Sequence, residues 1–122
     1  MYKRQAKRLH PIIIRTPLIS SSYLDDLNQG KILLKAENLQ RTGSFKIRGA
    51  YNLLRQLSKN EKNNGAVAYS SGNHAQAVAA SGKILNIETT IVMPEDTPEI
   101  KIKNTKSLLP KILRLRNLNK HH

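Results

Sequence analysis

The chain has 122 residues, no cysteine and a formal net charge of +13, which allows one small domain and excludes disulfides, a thiol nucleophile and cysteine metal sites. Its positive charge is terminal: residues 1–15 carry five Lys or Arg and residues 101–122 carry seven, both without an acid, while residues 16–100 balance nine bases against eight acids. The body therefore lacks the basic stripe of a nucleic-acid surface, and with about a quarter of its residues Leu, Ile, Val or Phe it exceeds the ~20% typical of disordered chains.

Met1 to His10 has the pattern of a basic amphipathic helix, which Pro11 ends by restricting His10. Ile12 to Leu18 reads as an extended lead-in broken by Pro17, and Ser22 as the cap of a short helix from Tyr23 to Gln29 that Gly30 stops. Lys31 to Ala36 reads as a strand too apolar in its middle for an exposed edge. A helix follows in which Ile47, Ala50, Tyr51, Leu54 and Leu57 share one face, with Ser44 as its cap. Lys59 to Gly65 is a polar loop, Ala66 to Tyr69 a short buried strand, Ser70 to Asn73 a turn, and His74 to Leu85 a helix whose alanines allow close packing on a sheet. Glu88 to Met93 is the next strand, ended by Pro94, and Thr97 caps a further helix with Pro98 at its first position.

Three strand–helix units in succession predict an α/β fold with a doubly wound parallel sheet. Ligands bind such sheets outside the carboxyl ends of strands. Two turns fall there, one carrying Phe45 and Lys46 and one running from Ser70 to His74.

Lys46 is the residue of interest. It stands in the first turn of its helix, where the positive helix end disfavours a second positive charge, and packing against Phe45 would add desolvation. Both effects favour the neutral amine, the nucleophile that condenses with an aldehyde.

Together the two turns resemble the pyridoxal-phosphate enzymes of the tryptophan-synthase-β type (fold type II), and within them the threonine dehydratase and serine racemase family. The pattern KxExxQxTGSFKxRGA is matched at Lys35, Glu37, Gln40, Thr42, Gly43, Ser44, Phe45, Lys46, Arg48, Gly49 and Ala50, and SSGNHAQA at Ser70–Ala77. Arg15-Thr16-Pro17-Leu18 and Ile91-Val92-Met93-Pro94 extend the likeness, which covers about residues 9–108. The resemblance implies pyridoxal 5'-phosphate as cofactor, with Lys46 forming a Schiff base and acting as base at the substrate Cα. Phe45 would lie near the cofactor ring and Asn73 would donate a hydrogen bond to its phenolate oxygen. Ser70, Ser71, Gly72, Asn73 and His74 would hold the substrate carboxylate, and Ser71 is the candidate acid/base on the opposite ring face. The implied reaction is loss of ammonia from L-threonine or L-serine, giving 2-oxobutanoate or pyruvate, with serine racemisation as the alternative. No metal is implied, and His10, His121 and His122 are incidental.

After Ser107-Leu108 the family's Gly-Ala-acid step into a buried strand gives way to a basic sequence of low complexity. The expected organisation is a partial enzyme domain over residues 1–108 and a divergent basic tail over 109–122, read as a frameshift or early stop, with a natural short variant as the alternative, that leaves activity impaired and the last strand without its neighbour. The glycines at 30, 43, 49, 65, 72 and 82 build no phosphate-binding nest, which the family places in its second half. A non-enzymatic remnant binding nucleic acid or anionic surfaces through its basic ends is the reading of another class. With no apolar run near the ~20 residues of a membrane span and no signal-peptide core, the expected location is cytoplasmic, and self-association into a homo-oligomer stays open.

Overall fold

The computed structural model describes residues 2–108 and 110–115. Helix α1 (Tyr2–Leu9) leads into β1 (Leu18–Ser20), α2 (Ser22–Asn28) and β2 (Leu33–Lys35), and a 3-10 turn over Glu37–Leu39 precedes α3 (Lys46–Arg55). Then come α4 (Lys59–Asn64), β3 (Ala66–Tyr69), α5 (Asn73–Leu85), β4 (Thr89–Pro94), α6 (Glu99–Lys106) and β5 (Lys111–Leu115).

The main sheet is parallel, in the order β3-β4-β5, with α5 and α6 as the crossovers. Its central strand is buried at every second residue: Thr89, Ile91 and Met93 point into the core. Against them pack Ile47, Ala50, Tyr51 and Leu54 of α3 and the Ala75–Ala80 stretch of α5. The predicted face of α3 is thus the buried one, with Leu57 half-buried just beyond the helix. Alanines on α5 let the helices approach closely, and the hydroxyl of Ser81, fully buried, is satisfied by donating to the Ala77 carbonyl at 2.7 Å. The α/β, parallel-sheet class expected from the sequence is the one observed.

Several local expectations are corrected. The segment around β2 joins no parallel sheet; it pairs antiparallel with β1, and Leu33 and Leu34 are about half exposed because a two-stranded ribbon has no second layer to cover it. Residues 59–64 are helical rather than a loop, since the Ser58 hydroxyl accepts from the Glu61 amide while the Glu61 carboxylate accepts from the Ser58 amide, a complete capping box. β3 is not buried. It is an edge strand, with Val67 75% and Tyr69 62% exposed.

The largest correction concerns the carboxyl-terminal segment. β4 has not lost its neighbour: Lys111–Leu115 pairs with it in parallel from Thr90 to Pro94, and Ile112 lies opposite Ile91 and packs on the core. A ladder requires only backbone groups and one inward apolar side chain, which Ile112 supplies among exposed Lys111, Leu113, Arg114 and Leu115. Of the histidines set aside as incidental, His121 and His122 lie outside the described residues.

Candidate active site

The Lys46 turn is held by its flanks. Gln40, buried, uses its side-chain amide as a strand would, accepting from the Ile14 amide and donating to the Ile14 carbonyl, both at 2.9 Å. Arg41 Nε donates to the Ile12 carbonyl, and Gly43 reverses the chain at φ +68 with its amide on the Gln40 carbonyl, a conformation that glycine adopts without steric cost. Ser44 is buried, but the residue at the cap position of α3 is Phe45, and the Ser44 hydroxyl meets only the Lys46 amide, at a long 3.4 Å. Ser44 is therefore a buried turn residue and not the cap. Lys46 is the first residue of α3, so it does stand at the positive end of the helix. Its side chain is exposed and so is the Phe45 ring, whose centroid lies 5.1 Å from Nζ. Phe45 thus contacts the ammonium without shielding it from water.

Lys46 is tied to the rest of the fold through the other side of α3. Arg48 donates from Nε and Nη2 to the two Glu37 oxygens at 2.9 and 2.7 Å, and the Thr16 hydroxyl donates to the same carboxylate at 2.6 Å. The Arg48 hydrogen bonds, opposed by burial and aided by Thr16, hold the Glu37 carboxyl at about 2, well below its ordinary 4.5.

The second turn follows β3. The Ser70 amide donates to the Val92 carbonyl at 3.0 Å, and the Ser70 hydroxyl accepts from the Gly72 amide at 3.2 Å. Gly72 precedes α5 with no side-chain cap, and Asn73 is the first helical residue rather than the last of the turn. Ser70, Ser71 and Gly72 are half-buried, while Asn73 and His74 are exposed.

A groove of about 430 Å3 joins the two regions. Its walls bring Phe45 and Lys46 together with His74, against apolar surface from Leu53, Ala68 and Val78. Ser70, Ser71, Gly72 and Asn73 are not among its lining residues. Gly49 is, and a methyl group built there would meet nothing within 4 Å. A glycine inside a helix costs about 1 kcal/mol relative to alanine, and no neighbour requires this one; the space it keeps open belongs to the groove. The isolated glycine within an otherwise helical pattern was the signal available in the sequence.

These residues suit one part of pyridoxal phosphate. An accessible amine at a helix start, an aromatic edge and an apolar groove within the ~300–1,000 Å3 range of small-molecule sites fit an aldehyde-bearing aromatic ring. They do not supply a phosphate cradle, because the six glycines are dispersed and none follows residue 82. The hydroxyl of Thr42, buried without a hydrogen-bond partner, is a further polar group beside this turn.

A parallel sheet with a lysine at the start of one helix and a serine–glycine turn leading into another helix beyond the next strand defines a class, and comparison with known proteins identifies it. The chain belongs to the family of pyridoxal-phosphate dependent enzymes, whose profile it matches over residues 9–117. It is 50% identical over 106 residues to the L-threonine ammonia-lyase of Thermotoga maritima, covering 87% of this chain and 26% of that protein. With the L-threo-3-hydroxyaspartate ammonia-lyase of Saccharomyces cerevisiae it shares 44% identity over 109 residues, or 89% of this chain and 33% of the relative. The solved structure of maize serine racemase superimposes with a TM-score of 0.90 at 36% identity, over 97% of this chain and 36% of that one. The chain thus spans about a quarter to a third of the length of these relatives and corresponds to their N-terminal part. Among the described residues no helix is long and apolar enough to cross a membrane.

Proposed function

We propose that this chain carries the reactive-lysine half-site of an ammonia-lyase acting on L-threonine or L-serine. The observation that carries the reading is Lys46 at the first position of α3, in a groove shared with Phe45 and His74. Bound there, pyridoxal phosphate supplies an electron sink for negative charge at the substrate α-carbon.

The chain's own residues then divide the work. The Lys46 amine would hold the aldehyde end and take the α-proton. Phe45 would lie beside the ring, and Asn73 would donate its amide to the ring oxygen. Backbone and side-chain donors from Ser70 to His74, at the start of α5 and with only His74 on the groove wall itself, would hold the substrate carboxylate, and Ser71 would move a proton on the opposite face. The β-hydroxyl leaves as water and hydrolysis returns that water as ammonia departs, so L-threonine gives 2-oxobutanoate and L-serine gives pyruvate. Serine racemisation uses the same two proton-handling groups on opposite faces, and the 0.90 TM-score to maize serine racemase keeps it as the second reading. The site is incomplete for turnover in this chain alone, because its glycines supply no phosphate cradle.

Borohydride reduction with added pyridoxal phosphate, followed by peptide mapping, tests the assignment. The adduct is expected on the peptide containing Lys46 and is lost in Lys46→Ala. Label spread evenly over the surface lysines would overturn it.

A further inference from the structure

Helix α3 separates two openings. Lys46 faces the groove described above, whereas Arg48, two residues on and therefore about 200° around the helix, faces another of about 500 Å3. Its apolar wall comes from Ala6 and Leu9 of α1 and from Ile13, and its cations are Arg15, Lys35 and Arg48. No acid lines it among the described residues.

Donor by donor, the cations are only partly used. Arg48 spends Nε and Nη2 on Glu37, leaving Nη1. Lys35 gives one proton to the Thr16 carbonyl at 3.1 Å and keeps two. The Arg15 guanidinium makes no hydrogen bond or ion pair among the described residues. Glu37, paired with Arg48 and also within the field of Lys35, offsets one of the three cations, so the opening keeps an excess of two positive charges, a repulsion that a bound anion reduces. Leu9 and Ile13 are half-buried and already pack on the core, so the wall beside these charges is fixed and apolar. A fork of guanidinium donors matches a carboxylate, and a fixed apolar wall adds affinity only for a ligand with an aliphatic body.

We propose that this second groove binds an aliphatic monocarboxylate, its carboxylate on Arg15, Lys35 and Arg48 Nη1 and its chain along Leu9 and Ile13. The site lies across α3 from Lys46 and does not depend on the reaction assigned to that residue.

Hexanoate, titrated into the full chain at pH 7 and low salt and followed by calorimetry, tests it. Saturable one-to-one binding is expected, with acetate weaker by tenfold or more because it lacks the methylenes that hexanoate buries along Leu9 and Ile13. Arg15→Ala, at an exposed position where folding is preserved, should weaken hexanoate about tenfold, and Lys46→Ala should leave it unchanged. Inorganic phosphate and hexylammonium should fail to compete. Equal affinity in Arg15→Ala, or phosphate competing as well as hexanoate, would overturn the proposal, the first by removing the carboxylate's partner and the second by showing that the apolar wall contributes nothing.

Discussion

Arg48 grips Glu37 through two hydrogen bonds of 2.9 and 2.7 Å, and this pair fastens the helix that begins at Lys46 to the segment that precedes it. Thr16 adds the third contact from the lead-in. Only 27% of the Arg48 side chain and 15% of the Glu37 side chain are exposed, so the pair is screened less than a surface ion pair.

The Glu37 carboxyl sits at about 2 against an ordinary 4.5, which makes the pair pH-dependent in a defined direction. A carboxyl whose folded value is depressed stabilises fully above its unfolded value and loses that contribution as pH falls through the window from about 4.5 to about 2. The contribution is on the order of 2–3 kcal/mol. Glu37→Gln should lower the urea midpoint at pH 7 and flatten its fall between pH 7 and pH 3, read from the loss of helical circular dichroism. An unaltered acid limb in the variant would assign the acid sensitivity to other carboxyls.

Gly49 gives a test in which stability and binding move in opposite directions. Gly49→Ala should stabilise α3 by about 1 kcal/mol, because the added methyl meets nothing within 4 Å. The same methyl enters the Lys46 groove, so borohydride-trapped pyridoxal phosphate at Lys46 should fall several-fold. A raised melting temperature with unchanged labelling would mean that the glycine does not serve the groove.

Gly82 presents the contrary case. A methyl built there lies 2.3 Å from Thr89 Cγ2 and 2.8 Å from the Ile87 carbonyl oxygen, so α5 and β4 can approach as they do only with glycine at this point. Gly82→Ala should destabilise the chain by about 1–3 kcal/mol, measured by chemical unfolding. Adding Thr89→Ser removes the nearer clash and should recover part of the loss. No recovery would place the strain at the Ile87 carbonyl.

These glycines also show what the sequence made legible. The face of α3 was readable because Ile47, Ala50, Tyr51 and Leu54 repeat at helical spacing, and the two turns were readable because small residues are grouped between a strand and a helix. Gly82 was not, since its reason is Thr89, a contact made only once the chain has turned back. The helix at 59–64 was hidden by its polar composition, although Ser58 and Glu61 stood at capping-box spacing. β5 was hidden because Lys111–Leu115 has one inward residue, Ile112, and its strand character comes from the backbone of β4. The antiparallel pairing of β2 with β1 depends on topology, which local pattern does not encode. Lys46 was placed correctly at the helix start, but its exposure was not foreseen, because shielding by Phe45 depends on where the ring points.

That exposure bears on the last prediction. Formation of an adduct at Lys46 needs an accessible amine and a groove for the ring, and both are present. Turnover needs more: an anchored phosphate, a site that excludes water, and proton-handling groups held on both faces of the ring. In this chain Phe45 is 58% exposed and Val67, on the groove wall, 75%, so water reaches the reacting region. The chain alone, supplied with pyridoxal phosphate, should therefore label slowly at Lys46 and release no measurable 2-oxobutanoate from L-threonine or pyruvate from L-serine. A coupled lactate dehydrogenase assay, with Lys46→Ala as control, measures this. Keto acid that disappears in Lys46→Ala would refute the expectation, and would mean that a second copy of the chain completes the site or that the phosphate cradle is dispensable.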